Sequence, residues 1–416
     1  MSPLSLSSRF WFKVAAAVVA CALIYVGEHA LESLLESEEG DPSSIARSVF
    51  QLRRVYQATL TAGWLKPGRS FTAVVELNPR RDERLRSLTL NMVCEQRGFL
   101  AKLIGRIADE QPEVIVLDKY FGPASCPRDP ADTIALREAI DLATQAAPHP
   151  VRVVVGLSVS RRSGEPQPNP SLFDDAAVDQ GIVNIHHDVR RMALRWCGRV
   201  DPVEGLTRPA GCETLALRAA RAYRPTIVRE NQRGLRDLLV AGRHPYISFI
   251  PPEDFCQFDV LGDATLRVNN EDVCKRTSDG PRTGLGYLRG RIVLVGERSS
   301  TDMHDTVVGP VSGVFVQANY IEALLDRRYF RPVPWLDYAL GVVLFAVVTL
   351  LPLAWSTHPW VALLAVAGAV VVTMGLVLAL LLLYGLYVNP VGVGVLALLI
   401  DGSHTVLSRI VRRDHP

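Results

Sequence analysis

Asp302-Met303-His304-Asp305 places two carboxylates and an imidazole within four residues, the donor types that hold a divalent metal ion. A closed metal site needs further ligands from elsewhere in the chain, and spacing does not identify them, so the stretch reads as a solvated loop. His186-His187-Asp188 offers the same donors. Adjacent residues on a strand point to opposite faces, however, so these two histidines do not share one ion. Gly156-Leu157-Ser158-Val159-Ser160 begins like a nucleophile elbow but lacks the closing glycine. There is no phosphate-binding P-loop and no dinucleotide fingerprint. Gly296 follows an apolar run, as ligand loops do in α/β sheets, and a simple turn explains it equally well. The sequence therefore predicts no catalytic residue, no metal and no cofactor, and a protein that is not an enzyme.

Short β-branched runs at Phe71 to Leu77, Val114 to Leu117, Val151 to Leu157, Gly181 to Ile185 and Arg291 to Val295 read as strands. Runs such as Val-Ile-Val-Leu are apolar throughout, which predicts a sheet covered on both faces. Helical patterns alternate with them at Glu83 to Glu110, Asp132 to Ala146, Glu213 to Ala222, Glu230 to Val240 and Val314 to Arg327. Asp132 is placed to cap the second, whose stripe is Ala135, Leu136, Ala139 and Ile140. The alternation predicts an α/β domain with a mixed or largely parallel sheet flanked by helices. Residues 160–172 and 257–287 read as surface insertions, and Leu31 to Glu39 as the start of a helical stalk.

The remaining chemistry lies outside that domain. From Tyr338 to Ile400 there is no Asp, Glu, Lys or Arg, although 21% of the whole chain is charged. A run of that length without a hydrated face predicts membrane spans, at residues 335–355, 361–384 and 388–407. Trp335, Trp355, Trp360, Tyr384 and Tyr387 fall at the interfaces. A fourth apolar run, residues 10–27, reads first as an anchor; a cleaved signal peptide is a second reading. Val18-Val19-Ala20-Cys21, which resembles a lipobox, supplies a third. Arg9 and Lys13 lie at the start of the first span, and Arg409, Arg412 and Arg413 follow the last. The positive-inside rule then puts residues 1–9 and 408–416 in the cytoplasm and residues 28–334 outside it. Asp401 and His404 share one face of the last span and are candidates for contact with a partner. The formal net charge of +2 leaves no cation excess for nucleic acid.

Of seven cysteines, Cys21 lies in the first apolar run and the other six in the exported segment. An even count in an oxidising compartment predicts disulfides, with a sequential pairing preferred: Cys94 with Cys126, Cys197 with Cys212 and Cys256 with Cys274. The alternative for Cys94 is a buried free thiol on an apolar helix.

Three stretches carry a family resemblance. They are Pro112 to Asp118 with Phe121; Gly181 to Ile185 with Asp188 and Val189 to Met192; and Leu288 to Gly296 with Asp305, Gly313-Val314, Ala318-Asn319 and Leu324-Leu325. In this order they resemble the CHASE type 2 domain (cyclase/histidine-kinase-associated sensory extracellular domain), a family that has one span before the domain and three after it. The resemblance implies an extracytoplasmic sensory module in a bacterial inner membrane, coupled to a kinase or cyclase. Its polar positions Asp118, Asn184, Asp188 and Asp305 are the candidates for binding an extracytoplasmic ligand. The sequence departs from the family at Glu76, where Asn78-Pro79-Arg80-Arg81 follows in place of an Asp-rich run. It also leaves little length after the last span, so no cytoplasmic output domain is expected. The expectation is thus a membrane-anchored sensor or scaffold that relays a signal through its spans to a partner membrane protein. The alternative is a non-signalling subunit of a membrane complex.

Overall fold

In the computed structural model the described residues are 70–77, 90–122, 130–146, 148–162, 165–174, 178–185, 191–194, 213–227, 245–278, 282–298, 302–326 and 329–336, apart from single positions within these ranges, with scattered positions elsewhere. Residues 54–329 form one compact unit, and residues 1–53 with 330–416 a second.

In the first unit the chain begins with β1 (Thr72–Leu77), α1 (Leu90–Asp109), β2 (Val114–Tyr120), α2 (Pro130–Gln145) and β3 (Arg152–Leu157). A hairpin of β4 (Val159–Arg162) and β5 (Glu165–Pro168) follows, then β6 (Asp179–Ile182), α3 (Leu215–Tyr223) and the two-residue β7 (Tyr246–Ile247). The remainder is β8 (Cys256–Leu261), β9 (Thr265–Val268), α4 (Glu271–Thr277), β10 (Ile292–Glu297), a hairpin of β11 (Met303–Thr306) and β12 (Gly309–Ser312), and α5 (Gly313–Asp326).

Seven strands make the central sheet, in the order β6-β3-β2-β10-β1-β8-β9. The first six are parallel, and β9 lies antiparallel on the edge. This is the expected α/β class with a largely parallel sheet. Its apolar runs are apolar throughout because each face carries helices. On one face Val74, Leu294, Val116 and Val154 pack with Leu215, Leu217, Val316 and Ile321 of α3 and α5. On the other face Val75, Val293, Ile115 and Val155 pack with Leu103, Ile107, Leu136 and Ile140 of α1 and α2.

Two local expectations need correction. Residues 257–287 are not a surface insertion: they supply most of β8, all of β9 and α4, and core residues Phe258, Val260, Cys274 and Tyr287. Buried polar residues hide the strand in the sequence. The Gln257 amide donates to Asn270 Oδ1 at 2.8 Å and its carbonyl accepts from the Asn269 amide at 2.9 Å. Within 160–172 the β4–β5 hairpin does stand apart from the main sheet. Leu172 nevertheless belongs to the core, and its amide donates to Phe121 O at 2.9 Å. Asp132 sits inside the first turn of α2 rather than capping it, since that helix already starts at Pro130.

The preferred bridge between Cys256 and Cys274 is present, with an S–S distance of 2.07 Å. The side chain of Cys94, together with Cys126, Cys197 and Cys212, lies outside the described residues. So do Leu31 to Glu39, Glu230 to Val240, residues 10–27 and most positions of the three C-terminal spans. Among the described residues no helix is long and apolar enough to cross a membrane. In the second unit, Arg331 and Pro332 of β13 (Tyr329–Pro332) pair in parallel with Leu386 and Tyr387 of β14 (Leu386–Tyr387).

Candidate functional site at the carboxyl edge of the sheet

Parallel α/β sheets hold ligands outside the carboxyl ends of their strands, where neighbouring strands send the chain to opposite faces. Here that point is β10. Its neighbours β1 and β2 lead into α1 and α2 on one face, whereas β10 leads through the β11–β12 hairpin into α5 on the other.

Register fixes which residues meet there. Glu76 of β1 pairs with Gly296 of β10, and Gly296 with Asp118 of β2. Residues in register on parallel strands share a face, so Glu76 and Asp118 flank Gly296 on the α5 side. Gly296 is thus a strand residue and not a turn. A Cβ built on it would lie 2.6 Å from Val314 Cγ2 and 3.2 Å from Asp118 Cβ. The missing side chain is what lets the start of α5 rest on the sheet. Gly313, the first residue of α5, is equally constrained: a Cβ there would lie 2.2 Å from Asp302 Oδ2. Its amide donates to Asp302 O at 2.9 Å. Asp302 is therefore seated on the start of α5, with His304 Nε2 3.1 Å from its Oδ1.

The opposite face of the same edge is ion-paired. Lys119 Nζ donates to Glu297 Oε1 at 2.6 Å and to Gln96 of α1. Back on the α5 side, Glu76, 3% exposed, accepts from Arg298 at 3.2 Å. Asp118 has no side-chain hydrogen bond among the described residues. Burial, then the charges of Asp302 and Glu297, push its carboxyl up to about 8, so it is neutral at pH 7. On α1, Arg97 is 2% exposed and donates to Thr133 Oγ1 at 2.8 Å and to Gly122 O at 3.2 Å. Burial lowers its pKa.

Of the ligand candidates read from the sequence, Asp118 is in this crevice. Asp305 is exposed on β11, beyond the Asp302–His304 pair. Asn184 is not part of the cluster: it follows β6, two strands from β2, and its Oδ1 accepts from the Val159 amide at 3.1 Å. It fastens the β3–β4 corner. Asp188, His186 and His187, and the partner candidates Asp401 and His404, lie outside the described residues. Among the described residues no group of three or more His, Cys, Asp or Glu is arranged to hold a metal ion. Ser158 is structural, with its Oγ accepting from Asn169 Nδ2 at 3.2 Å. Sequence reasoning missed Lys119, Glu297, Arg298 and Gln96, because nothing in the chain foretells that β10 inserts between β1 and β2. Strand parity was the available signal, since Asp118 and Lys119 had to face opposite sides.

A cavity of about 780 Å³ opens at the other, amino edge of the sheet, with Glu113, His149, Arg152, Asp179 and Arg289 among its lining. Its charges are exposed and of both signs, and the positive φ of Gln111 beside it ends α1, with the Gln111 amide donating to Ala108 O at 2.9 Å. The carboxyl edge, where charge is partly enclosed, is the better candidate.

Fold and crevice together define an α/β domain with a mostly parallel central sheet flanked by helices. The chain belongs to the CHASE2 domain family, whose model, described as CHASE2 domain, matches residues 52–352. This is a family of extracellular sensory domains found in membrane proteins. No curated protein and no solved structure matches the chain.

The motif residues of the third stretch are explained by α5. Asn319, fully buried, accepts from the Ile250 amide at 2.6 Å and donates to Ile250 O at 3.1 Å. Gln317 donates to Val183 O at 2.9 Å, and Tyr320 to Val189 O at 2.7 Å. Glu322 Oε1 accepts from the Phe71 and Thr72 amides, both at 2.7 Å, and from Ser70 Oγ at 3.0 Å. One helix thus holds the entry to β1, the exit of β6 and the segment before β8, and its first residues rest in the crevice.

Proposed function

We propose that this chain is a membrane-anchored extracytoplasmic sensor that passes the state of its α/β domain through membrane spans to a partner membrane protein, a kinase or cyclase. Membership of the CHASE2 family carries the reading, since the family's domains are sensory and extracellular. The crevice at β10 is the point of input. It gathers partly enclosed charge at the switch point of the sheet and touches the helix that braces the rest of the domain. Asp118 is the residue of the crevice assigned to the signal.

The spans at 10–27, 335–355, 361–384 and 388–407 are part of the proposal, with residues 28–334 outside the cytoplasm. Their support is the charge-free stretch from Tyr338 to Ile400. The described positions between 368 and 380 are helical, with Val371 and Val372 70% and 71% exposed. Large aliphatic side chains exposed on a charge-free helix suit contact with lipid tails. Four spans put both termini on one side, and the basic flanks make that side the cytoplasm; within the last span Asp401 and His404 face a partner.

The test is capture of the tagged full chain from membranes in mild detergent. Recovery of a membrane-bound kinase or cyclase supports a relay. Recovery of transport or envelope-assembly components alone would make the chain an assembly subunit.

A further inference from the structure

We propose that Asp118 is a proton-operated latch between the carboxyl end of β2 and the start of α5, closed when the carboxyl is neutral and released when it ionises. The geometry that carries this is the in-register row Glu76–Gly296–Asp118 with the first residues of α5 resting on its middle. No side chain separates Asp118 from the helix start, because Gly296 has none. Asp302, seated on Gly313, closes the same space from the helix side.

The charges that face Asp118 from each packed element are unbalanced. From the other face of the edge, Glu297 of β10 acts through space, already paired with Lys119 of β2 itself. From the segment leading to β11 comes Asp302, with His304 beside it. From β1, across Gly296, comes Glu76, held by Arg298. The first turn of α5 contributes no charged side chain. Lys119 and Arg298 are committed to other carboxylates, so an ionised Asp118 meets Asp302 and Glu297 without a cation of its own. Repulsion between like charges in a partly enclosed space then acts on Asp302, and Asp302 is the anchor of the start of α5.

A displacement there does not stay local. The same helix holds Ile250 through Asn319, Val183 through Gln317 and the entry to β1 through Glu322. In the chain it ends at Asp326, shortly before the span proposed at 335–355. The latch takes its physiological meaning from the sensor reading and rests on it, but its operation is intramolecular.

Linkage sets the size of the effect. With the carboxyl of the closed form titrating near 8 and that of the released form near the ordinary value, release becomes up to about tenfold more favourable per pH unit below 8 and levels off above it. The experiment is hydrogen–deuterium exchange of the purified full chain in detergent, followed by mass spectrometry across about pH 6 to about pH 9.5. Rates are corrected for the intrinsic pH dependence of amide exchange.

In the wild type, peptides covering residues 302–320 should open progressively up to about pH 8 and then level off. In Asp118→Asn, a neutral side chain of the same shape, they should stay closed throughout. In Asp302→Asn the rise should be smaller and level off at lower pH, because the charge that raised the Asp118 pKa, and on which the repulsion acts, is gone. A wild type without the rise, an Asp118→Asn protein that keeps it, or an Asp302→Asn protein whose rise is as large and levels off at the same pH would each overturn the latch. Such a result would leave the sensor with another input. Failure to capture a kinase or cyclase would count against the relay and not against the latch.

Discussion

Glu76 and Asp118 stand in register on either side of Gly296, on the same face of the sheet, with Val314 of α5 resting between them. Two acidic groups are thereby held at the start of a helix that braces three other parts of the domain. They differ in how they are satisfied. Glu76 has Arg298, whereas Asp118 is held neutral by its surroundings.

Gly296→Ala should destabilise the domain by about 1–3 kcal/mol, because the added methyl collides with the Val314 side chain against a fixed sheet. Gly105→Ala is the control. It lies within α1 with nothing inside 4 Å of its Cβ position, and should gain about 0.4–1 kcal/mol. Denaturant unfolding of the two variants measures the contrast.

Stability should fall as pH rises towards 8. Folded, Asp118 keeps its proton up to about pH 8, whereas the unfolded chain releases it near the ordinary carboxylate value. Between these limits the native state binds more protons, so its stabilisation is complete at low pH and declines by about 1.4 kcal/mol per pH unit. Asp118→Asn should remove this contribution, leaving a flatter pH profile of thermal unfolding. An unchanged slope in the variant would show that Asp118 titrates normally.

Glu322→Ala should cost about 3 kcal/mol or more, since it strands the Phe71 and Thr72 amides at the buried entry to β1. Glu322→Gln keeps an acceptor oxygen and should recover part of the loss. Equal destabilisation by both would assign the role to packing and not to the hydrogen bonds.

Breaking the bridge by Cys256→Ser should cost about 3 kcal/mol, because it frees a loop with a sequence separation of 18. Mass mapping without reductant should recover the peptides of Cys256 and Cys274 linked. Finding both as free thiols would contradict the bridge and weaken the case for an oxidising compartment.

Much of the fold could be read from the residues. Val114 to Leu117 and Ile292 to Val295 announce themselves as buried parallel strands because no polar residue interrupts them. β8 did not, since Gln257 and Asp259 break the apolar run, and the Asn270 contact that satisfies the Gln257 amide comes from 13 residues further on. The site was legible only in part. Asp118 could be named as a polar residue at a strand end, but Glu76, Glu297 and Asp302 become its neighbours through strand order, which is a long-range property. Asn184 looked equivalent to Asp118 in the sequence. Its amide turns out to serve a backbone corner.

Asp401→Leu together with His404→Leu should weaken recovery of the partner about tenfold, the scale of a polar contact between helices in a membrane. Unchanged recovery would move the contact elsewhere.

The sensor reading meets its most direct test in affinity capture of the full chain from native membranes in mild detergent, with every co-purifying protein identified. The account predicts a membrane-bound kinase or cyclase among them, present with the wild type and depleted with the Asp401→Leu, His404→Leu variant. Recovery of transport or envelope-assembly components alone, undiminished in that variant, would contradict it.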